Sequence, residues 1–359
     1  MNKKYSELAE LFRSEKTDEE ILDFLLNYHK NDIADMMAGM TEEERKRLYH
    51  LLGAQKVAEI FKYIEEPRKY IRELSVESAA RVISEMDSDD AVDLLEDLDP
   101  EEKEQIVRML DEDAKKDVKM LLSYDEEEIG SCMTTNYICI PENLTIRQAM
   151  SELVKQAGEN DNIMTIYVVD EKGVFAGAID LKDLIRAREN THLKDLVLKS
   201  YPYVTDHEKI DDCMDRILDY AEDSIPVLSE DKRILGVITS EDLIEMVDNE
   251  MGEDYAKLAG LTAEEDLKEP IVQSMKKRLP WLIILLFLGM GVSSVVGLFE
   301  NVVAVLPIVI CFQSLVLDMA GNVGTQSLAV TIRVLMDENL TGKQKFQLVV
   351  KEVKTGSLN

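Results

Sequence analysis

The chain has 359 residues, which is enough for two or three domains that each have a hydrophobic core. It contains 41 Lys and Arg residues against 72 Asp and Glu residues, so its formal net charge is −31. Nucleic acid is therefore not expected as a partner, because a phosphate backbone binds Lys and Arg, and cations are the expected partners. The acidic residues are concentrated between residues 1 and 269, whereas residues 279–317 hold almost no charge.

Cysteine usage and the N-terminal segment both indicate a cytoplasmic location for the first part of the chain. The four cysteines form no CxxC pair and the four histidines are scattered, so the sequence predicts neither a disulfide framework nor a zinc site. The opening segment MNKKYSELAELFRSEK lacks the apolar stretch of a signal peptide. We therefore expect the N-terminal part to remain in the reducing cytoplasm.

Residues 18 to about 124 are predicted to form a succession of short helices, because apolar residues recur at three- and four-residue spacing. The pattern that begins at Asp32 returns at Asp90, and residues 57–64 and 79–86 repeat its first half. Short helices that recur in this way bury their apolar faces by stacking, which predicts an α-helical superhelix. The alternative is an ordinary all-helical domain in which the similarity arises by chance.

From Gly130 onward, short β-branched runs alternate with helices, and two half-units align. Residues 168–185 correspond to residues 227–244, and each half-unit reads as a strand, a turn, a glycine-bearing strand and an Asp-Leu pair that opens a helix. The motif shared by residues 177–184 and 236–243 resembles that of a tandem of CBS domains. The resemblance implies two β-α modules in this part of the chain.

An aspartate follows the glycine-bearing strand in each half-unit. In CBS pairs the residue at this position often binds the ribose of adenosine, so the resemblance nominates Asp183 and Asp242 as nucleotide-binding residues. ATP or another adenine nucleotide is then the expected ligand. The alternative is that each aspartate only caps the helix that it opens.

The chain changes character after an acid-rich connector, residues 247–270. Residues 280–299 are 20 residues without a formal charge, close to the roughly 20 residues that a helix needs to cross a bilayer. Positive residues precede this segment and an aromatic residue lies at its edge, which places the N-terminus in the cytoplasm: Lys276, Lys277, Arg278 and Trp281.

A second apolar segment, residues 302–332, is predicted to form a second membrane helix. Its 31 residues would extend about 46 Å as a helix, so we expect the helix to tilt, to bend at Pro307 or to extend into the cytoplasm. Positive residues at Arg333, Lys343 and Lys345 return the chain to the cytoplasm, where an amphipathic segment is expected.

Polar residues lie inside this second apolar segment, between residues 318 and 327. A polar group is costly in hydrocarbon unless it faces protein or water, so these residues indicate an ion pathway or a helix contact. Gly321 and Gly324 would allow another helix backbone to approach closely. Three side chains offer oxygen atoms to a hard cation and are candidates for lining a pore: Asn322, Asp318 and Gln326. The alternative is that the amides only bind neighbouring helices together.

The order of these segments resembles that of the MgtE magnesium channels along essentially the whole chain. The resemblance is carried by the repetitive acidic helical region, the paired CBS motifs, EDYAKLAGL, RLPWLIILLFLGMGVSSVVGLFE and GNVGTQS. It implies a multidomain α and α/β membrane protein that divides into an N-terminal acidic helical domain (1–128), a first CBS domain (129–190), a second CBS domain (191–248), a connecting plug helix (249–275) and a partial transmembrane domain (276–359).

The resemblance also implies a function. It predicts a homodimer in the inner membrane with cytoplasmic N-terminal domains and a pore selective for Mg²⁺. Mg²⁺ would be both substrate and regulator, because it would bridge carboxylates of different cytosolic domains, and its loss would let them separate. The motifs nominate these regulatory ligands: Asp89, Asp93, Gly130 through its carbonyl, Asp219, Glu253 and Asp254. The alternative for each carboxylate is an ordinary solvated surface.

The sequence departs from the family pattern in its membrane part. Family members have five membrane helices per subunit, with the pore acid that binds Mg²⁺ on the fifth, whereas this sequence predicts two, so we expect a truncated channel with a complete gating half. The alternative is a membrane-anchored CBS sensor that binds Mg²⁺ or an adenine nucleotide without conducting ions, but such a sensor needs no polar residues in lipid. An enzyme is not expected, because no GxSxG, HExxH, P-loop or dinucleotide motif occurs in a suitable context.

Overall fold

The computed structural model describes residues 12, 17–64, 66–158, 160–188, 191–258, 260–261, 270–299, 307–337 and 341–358. The chain forms two compact units, Met1–Leu243 and Ile244–Asn359. The first unit contains the helical region and the strands of both CBS half-units, and the second contains most of the helix that begins at Ser240 and the long helices that follow.

The first unit begins with eight helices within the described residues. They are α1 (Asp18–Leu25), α2 (Lys30–Met37), α3 (Glu42–Phe61), α4 (Pro67–Ile71), α5 (Val76–Ser84), α6 (Ser88–Glu96), α7 (Pro100–Met109) and α8 (Glu112–Leu121). Side chains at their N-termini explain several of the boundaries. At the start of α3, the backbone N–H of Glu44 donates to Thr41 Oγ1 at 3.3 Å, and the N–H of Thr41 donates to Glu44 Oε2 at 2.8 Å.

These helices stack in sequence order. Helix α3 packs on α5, α5 packs on α7 and α6 packs on α8, so each of these helices contacts the one two places further along the chain. This is the packing pattern of a helical superhelix, in which successive short helices bury one another's apolar faces. The prediction of an N-terminal helical domain is confirmed. Gly53 interrupts α3 with a φ of 75°, which a residue with a side chain rarely adopts.

Two small sheets follow, each with the same topology. The first half-unit contains β1 (Ile138–Pro141), α9 (Ile146–Gln156), β2 (Thr165–Val169), β3 (Phe175–Asp180) and α10 (Leu181–Arg186). The second contains β4 (Val204–Thr205), α11 (Ile210–Leu218), β5 (Ser224–Leu228), β6 (Ile234–Thr239) and α12 (Ser240–Leu258). In each sheet the first two strands are parallel and the last two are antiparallel.

Each sheet is extended by residues that lead into the other half-unit. Thr134, which precedes β1, exchanges two backbone hydrogen bonds of 2.9 Å with Val237 of β6. Leu198, which precedes β4, pairs in the same way with Ala178 of β3. The two half-units therefore form one intertwined pair, and the predicted tandem of CBS domains is confirmed.

The helix that carries the acidic connector begins earlier than predicted. Helix α12 starts at Ser240, directly after β6, and continues to Leu258. Helix α12 therefore runs through residue 249 without a break, and the domain limit expected there stays a prediction. Residues 262–269 of the connecting helix predicted over residues 249–275 lie outside the described residues.

The second unit contains α13 (Ile271–Gly297), α14 (Pro307–Asp337) and α15 (Gly342–Leu358). Helix α13 starts nine residues before the predicted 280 and ends two before the predicted 299. The predicted start was wrong because the helix continues past its positive residues and through Pro280, whereas the hydropathy pattern marks only the part suited to lipid. Helix α14 ends at Asp337 rather than at the predicted 332, and the predicted start at 302 lies outside the described residues.

Within the described residues, α13 is the helix that is long and apolar enough to cross a membrane. None of its apolar window is buried within the chain, unlike the core helix of a globular domain. The second membrane helix and the multi-span arrangement stay predictions.

Candidate functional site

Helix α6 places several aspartates where the helical domain meets the CBS pair. Its apolar residues, among them Leu94 and Leu95, are buried in the helical domain. Its N-terminal end contacts the segment before β1, where the backbone N–H of Thr135 donates to Ser88 Oγ at 2.9 Å. Beside it, Asn136 Nδ2 donates to Asp87 Oδ1 at 2.8 Å. Direct hydrogen bonds therefore join the helical domain to the first CBS half-unit.

Carboxyl groups without full hydrogen bonding are buried at this contact. Asp89 Oδ1 and Asp90 Oδ2 are both buried without a hydrogen-bond partner. Burial, followed by the negative charges of Asp242, Asp90 and Asp87, raises the pKa of Asp89 well above its usual range. We call the four residues Asp87, Asp89, Asp90 and Asp242 the acidic junction. Asp89 and Asp242 interact although 153 positions separate them in sequence, because the fold brings α6 and the start of α12 together.

Asp242 also caps the helix that it opens. The backbone N–H of Thr239 donates to Asp242 Oδ2 at 2.7 Å, and the N–H of Asp242 donates to Thr239 Oγ1 at 3.3 Å. Burial nevertheless raises the pKa of Asp242 to about 6, against these hydrogen bonds. Asp242 therefore has a capping role in addition to its place in the acidic junction, and its part in nucleotide binding stays a prediction.

One lysine approaches the acidic junction from the end of α3. Lys62 Nζ contacts Asp87 Oδ2 and lies 3.4 Å from Asp90 Oδ2. Burial opposes a charge on this lysine, but the carboxylates of Asp87, Asp90 and Asp89 raise the pKa of its ammonium. Four carboxylates and one ammonium leave a net charge of −3 when all five groups are ionised. The arrangement favours a further cation.

Two more nominated ligands lie close by. The pKa of Cys132 is raised by burial and then by Asp93, Asp242 and Asp89, so this thiol and Asp93 lie near the acidic junction. Gly130 is in the same 3-10 turn as Cys132, and its N–H donates to the carbonyl oxygen of Asp206 at 2.9 Å. A Cβ at Gly130 would lie 2.7 Å from that oxygen, so a residue with a side chain does not fit at this position.

A second contact between the helical domain and the CBS pair surrounds Gly130. The hydroxyl of Tyr124 donates to Asp206 Oδ2 at 3.1 Å, and His207 Nδ1 lies 3.0 Å from Glu128 Oε1. Lys209 Nζ donates to Glu127 Oε2 at 2.6 Å. We call this group the linker junction; its residues are Tyr124, Glu127, Glu128, Asp206, His207 and Lys209.

The other nominated cytosolic residues are not assembled into one site. Asp219 is exposed in the turn after α11, and Asp183 is exposed on α10. The side chains of Glu253 and Asp254 lie outside the described residues. Among the side chains that the structure describes, no group of three or more His, Cys, Asp and Glu residues is arranged to hold a metal ion. The six nominated regulatory ligands therefore stay a prediction.

The candidate pore residues lie on α14. Asp318, Asn322 and Gln326 are exposed in this chain. Helix α14 instead contacts α15 along a groove that includes Val323 and Ser327. A Cβ at Gly321 or Gly324 would meet nothing within 4 Å among the described residues, so the close approach of another helix backbone at these glycines stays a prediction.

Sequence reasoning missed the cation and the hydrogen bonds of the acidic junction. Lys62 is 25 positions from Asp87 in sequence, and Ser88 is 47 positions from Thr135. No local motif encodes such distant contacts. The available signal was a single lysine at the end of an apolar helix in a strongly acidic region, and it was too weak to single out Lys62.

Comparison with known proteins places the chain in a family. Residues 28–127 match the family model described as the MgtE intracellular N domain, and residues 127–190 and 193–249 match the CBS domain model. The chain is 38% identical to the magnesium transporter MgtE of Enterococcus faecalis over 99% of this chain and 79% of that relative. The chain belongs to the MgtE family of magnesium transporters. The MgtE of Bacillus subtilis is 31% identical over 65% of this chain, which corresponds to 52% of that relative.

Two solved structures are similar to the first unit. The crystal structure of the soluble part of a magnesium transporter has a TM-score of 0.65 and 30% identity, and the match covers 69% of this chain and 98% of that one. The crystal structure of the cytosolic domain of the Mg²⁺ channel MgtE in complex with ATP has a TM-score of 0.60 and 27% identity, and that match covers 67% of this chain and 99% of the other. Both solved structures resemble this chain over about two thirds of its length.

Proposed function

We propose that this chain is a Mg²⁺ channel or transporter of the inner membrane whose cytosolic domains sense intracellular Mg²⁺ at the acidic junction. The observation that carries the proposal is the buried, unpaired Oδ1 of Asp89, which interacts with Asp242 across the contact between the helical domain and the CBS pair. A buried polar atom without a partner is costly unless a ligand satisfies it.

The residues present fit Mg²⁺. Magnesium binds oxygen ligands and retains several waters, so a few carboxylates from different elements are a suitable donor set. Asp89 comes from the helical domain and Asp242 from the second CBS half-unit, so a cation between them would favour the docked arrangement of the two domains. A ligand that binds one of two arrangements more tightly shifts the population toward it.

The remaining parts of the proposal follow from family membership. We propose a homodimer with the domain limits given above, Asp93, Gly130, Asp219, Glu253 and Asp254 as further regulatory ligands, and Asn322, Asp318 and Gln326 as pore-lining residues. An adenine nucleotide at the CBS pair, near Asp183 and Asp242, is proposed because a related cytosolic domain was crystallised with ATP.

Backbone hydrogen exchange in the full chain, in detergent micelles, tests the sensing step. The N–H of Thr135 donates to Ser88 Oγ across the domain contact, whereas the N–H of Thr134 donates to Val237 O inside the CBS pair. Millimolar Mg²⁺, compared with a chelator, should slow deuterium exchange at Thr135 and leave Thr134 unchanged. Asp89→Asn should abolish the response, and Asp113→Asn, an exposed aspartate of α8, should retain it.

Equal exchange at Thr135 with Mg²⁺ and with chelator would contradict the proposed sensing. The transport step has its own test, which is the growth of a Mg²⁺-requiring strain that expresses this chain or the whole Enterococcus faecalis relative with its first unit replaced by that of this chain. If this chimaera responds to Mg²⁺ in the exchange experiment but supports no growth, the membrane-anchored sensor is the better description.

A further inference from the structure

Lys62 occupies a position at the acidic junction that no family resemblance assigns. It directly follows α3, and 32% of its side chain is exposed. Its ammonium contacts Asp87 and lies 3.4 Å from Asp90 Oδ2. The ion pairs that the described part of the chain shows at this junction both involve Lys62.

Ion pairing divides the four carboxylates into two pairs, because Asp87 and Asp90 lie beside Lys62, whereas Asp89 and Asp242 form no ion pair within the described part of the chain. Asp87 is satisfied by Lys62 and by Asn136. The Oδ1 of Asp89 has no hydrogen-bond partner. Asp90 Oδ2 lies near the ammonium of Lys62 but accepts no hydrogen bond from it. The lysine therefore neutralises one side of the junction and leaves the side formed by Asp89 and Asp242 available to a mobile cation.

We propose that Lys62 is a tethered counter-ion that sets the concentration at which a divalent cation docks the helical domain on the CBS pair. The inference rests on the proposed function, because it concerns the regulation of the same site. Lys62 itself binds no cation, and its positive charge weakens the binding of a divalent cation at the neighbouring carboxylates.

Most of the charged groups around Lys62 move with it when the two domains separate. Lys62, Asp87, Asp89 and Asp90 belong to the helical domain, so their mutual interactions persist when the domain separates. Docking adds the attraction of Lys62 to Asp242, which is one unit charge, and a weaker attraction to Glu241, whose exposed carboxylate is screened by water. A divalent cation bound between Asp89 and Asp242 carries two positive charges and is repelled by the ammonium of Lys62. This repulsion is larger than the attraction between Lys62 and the single negative charge of Asp242, so Lys62 opposes cation-dependent docking.

Removal of the ammonium should therefore have two effects of opposite sign. Without divalent cations, docking should weaken. With them, the half-maximal Mg²⁺ concentration for docking should fall at least about threefold, because one unit charge some 6 Å away produces that change even in bulk water and a partly buried junction screens it less. An ion pair with a purely structural role would weaken docking at every Mg²⁺ concentration and would raise that midpoint.

The experiment is a Mg²⁺ titration of deuterium exchange at Thr135, with the full chain in detergent micelles. The variants are Lys62→Met and Lys62→Gln, which remove the charge, and Lys62→Arg, which retains it. Lys46→Met is the matched control, because Lys46 lies on α3 and its ammonium pairs with Glu42 at 2.5 Å, within the same helix. A cooperative thermal transition identifies the variants that fold, and Lys62→Gln serves if Lys62→Met does not.

We expect the two neutral variants to exchange faster than wild type in chelator and to reach half-maximal protection at the lower Mg²⁺ concentration. Lys62→Arg and Lys46→Met should keep the wild-type midpoint. A wild-type chain that responds to Mg²⁺, together with neutral variants whose midpoint is unchanged or raised, overturns the inference and leaves the proposed function intact. A wild-type chain without any Mg²⁺ response overturns both.

Discussion

The acidic junction and the linker junction are two contacts between the same pair of domains, and they treat their carboxylates in opposite ways. At the linker junction, Lys209 lowers the pKa of Glu127, and the backbone N–H of Asp125 and then His207 lower the pKa of Glu128. At the acidic junction, burial and neighbouring carboxylates raise the pKa of Asp89. Both contacts are rich in acidic residues, and they differ in whether the carboxylates have hydrogen-bond or ion-pair partners.

The largest expected effect comes from removing the charges that the acidic junction leaves unpaired. In chelator, the double variant Asp89→Asn with Asp242→Asn should favour docking, because burial raises the pKa of both carboxyl groups and the docked state therefore disfavours their charges. Exchange at Thr135 should become slow without Mg²⁺ and insensitive to its addition. Asp183→Asn, at the equivalent position of the first half-unit but exposed, should behave as wild type. If the double variant still requires Mg²⁺ for docking, the carboxylates of Asp89 and Asp242 are not what opposes docking at the acidic junction.

A smaller effect is expected at the linker junction from Gly130→Ala. The new Cβ would lie 2.7 Å from the carbonyl oxygen of Asp206 and 2.9 Å from the ring of Tyr124, so the two segments must separate. The cost should be about 1–2 kcal/mol of overpacking, measured as a loss of thermal stability and faster amide exchange at Ile129. Gly39→Ala is the control, because its Cβ would meet Met36 O at an ordinary 3.6 Å. Equal losses from both substitutions would show that Gly130 is not a close-contact position.

The smallest effect concerns pH. Glu128, then Asp206, raise the pKa of His207 above the usual 6.5. A raised histidine pKa stabilises the fold fully below the unfolded value, and this contribution is lost as the pH rises through the folded value. Amide exchange at Ile129 and Gly130 should therefore accelerate from about pH 6.5 upward, beyond the intrinsic pH dependence.

His207→Gln should remove this excess acceleration, and His50→Gln, an exposed histidine of α3, should retain it. A wild-type profile that matches that of His207→Gln would show that the linker junction does not depend on the protonated imidazole.

Much of the fold was predictable because it is encoded locally. The short helices follow from three- and four-residue spacing together with capping pairs such as Thr41 and Glu44, and the two CBS half-units follow from a repeated pattern. The start of α13 was not predictable from hydropathy, because backbone hydrogen bonding continues a helix beyond the part that suits lipid. Pro280 and the preceding positive residues lie inside it.

The candidate site was predictable only in part. Motif resemblance nominated Asp89 and Asp93, and the fold places both near one contact. Asp242 was nominated for nucleotide binding, yet it lies at the acidic junction, because the start of α12 faces α6. That relationship depends on packing between distant segments, as does the position of Lys62, so no local pattern contains it.

Because Thr134 pairs with Val237 and Leu198 pairs with Ala178, neither CBS half-unit closes its own sheet edge. Cutting the chain between residues 190 and 191 would give two fragments that each expose unpaired backbone N–H and C=O groups, the kind of edge that recruits other strands and aggregates. Such fragments should be insoluble when expressed singly and should recover by complementation when expressed together. The smallest self-sufficient folding unit of this region is thus the intertwined pair, and any shortened version of the protein has to keep both halves.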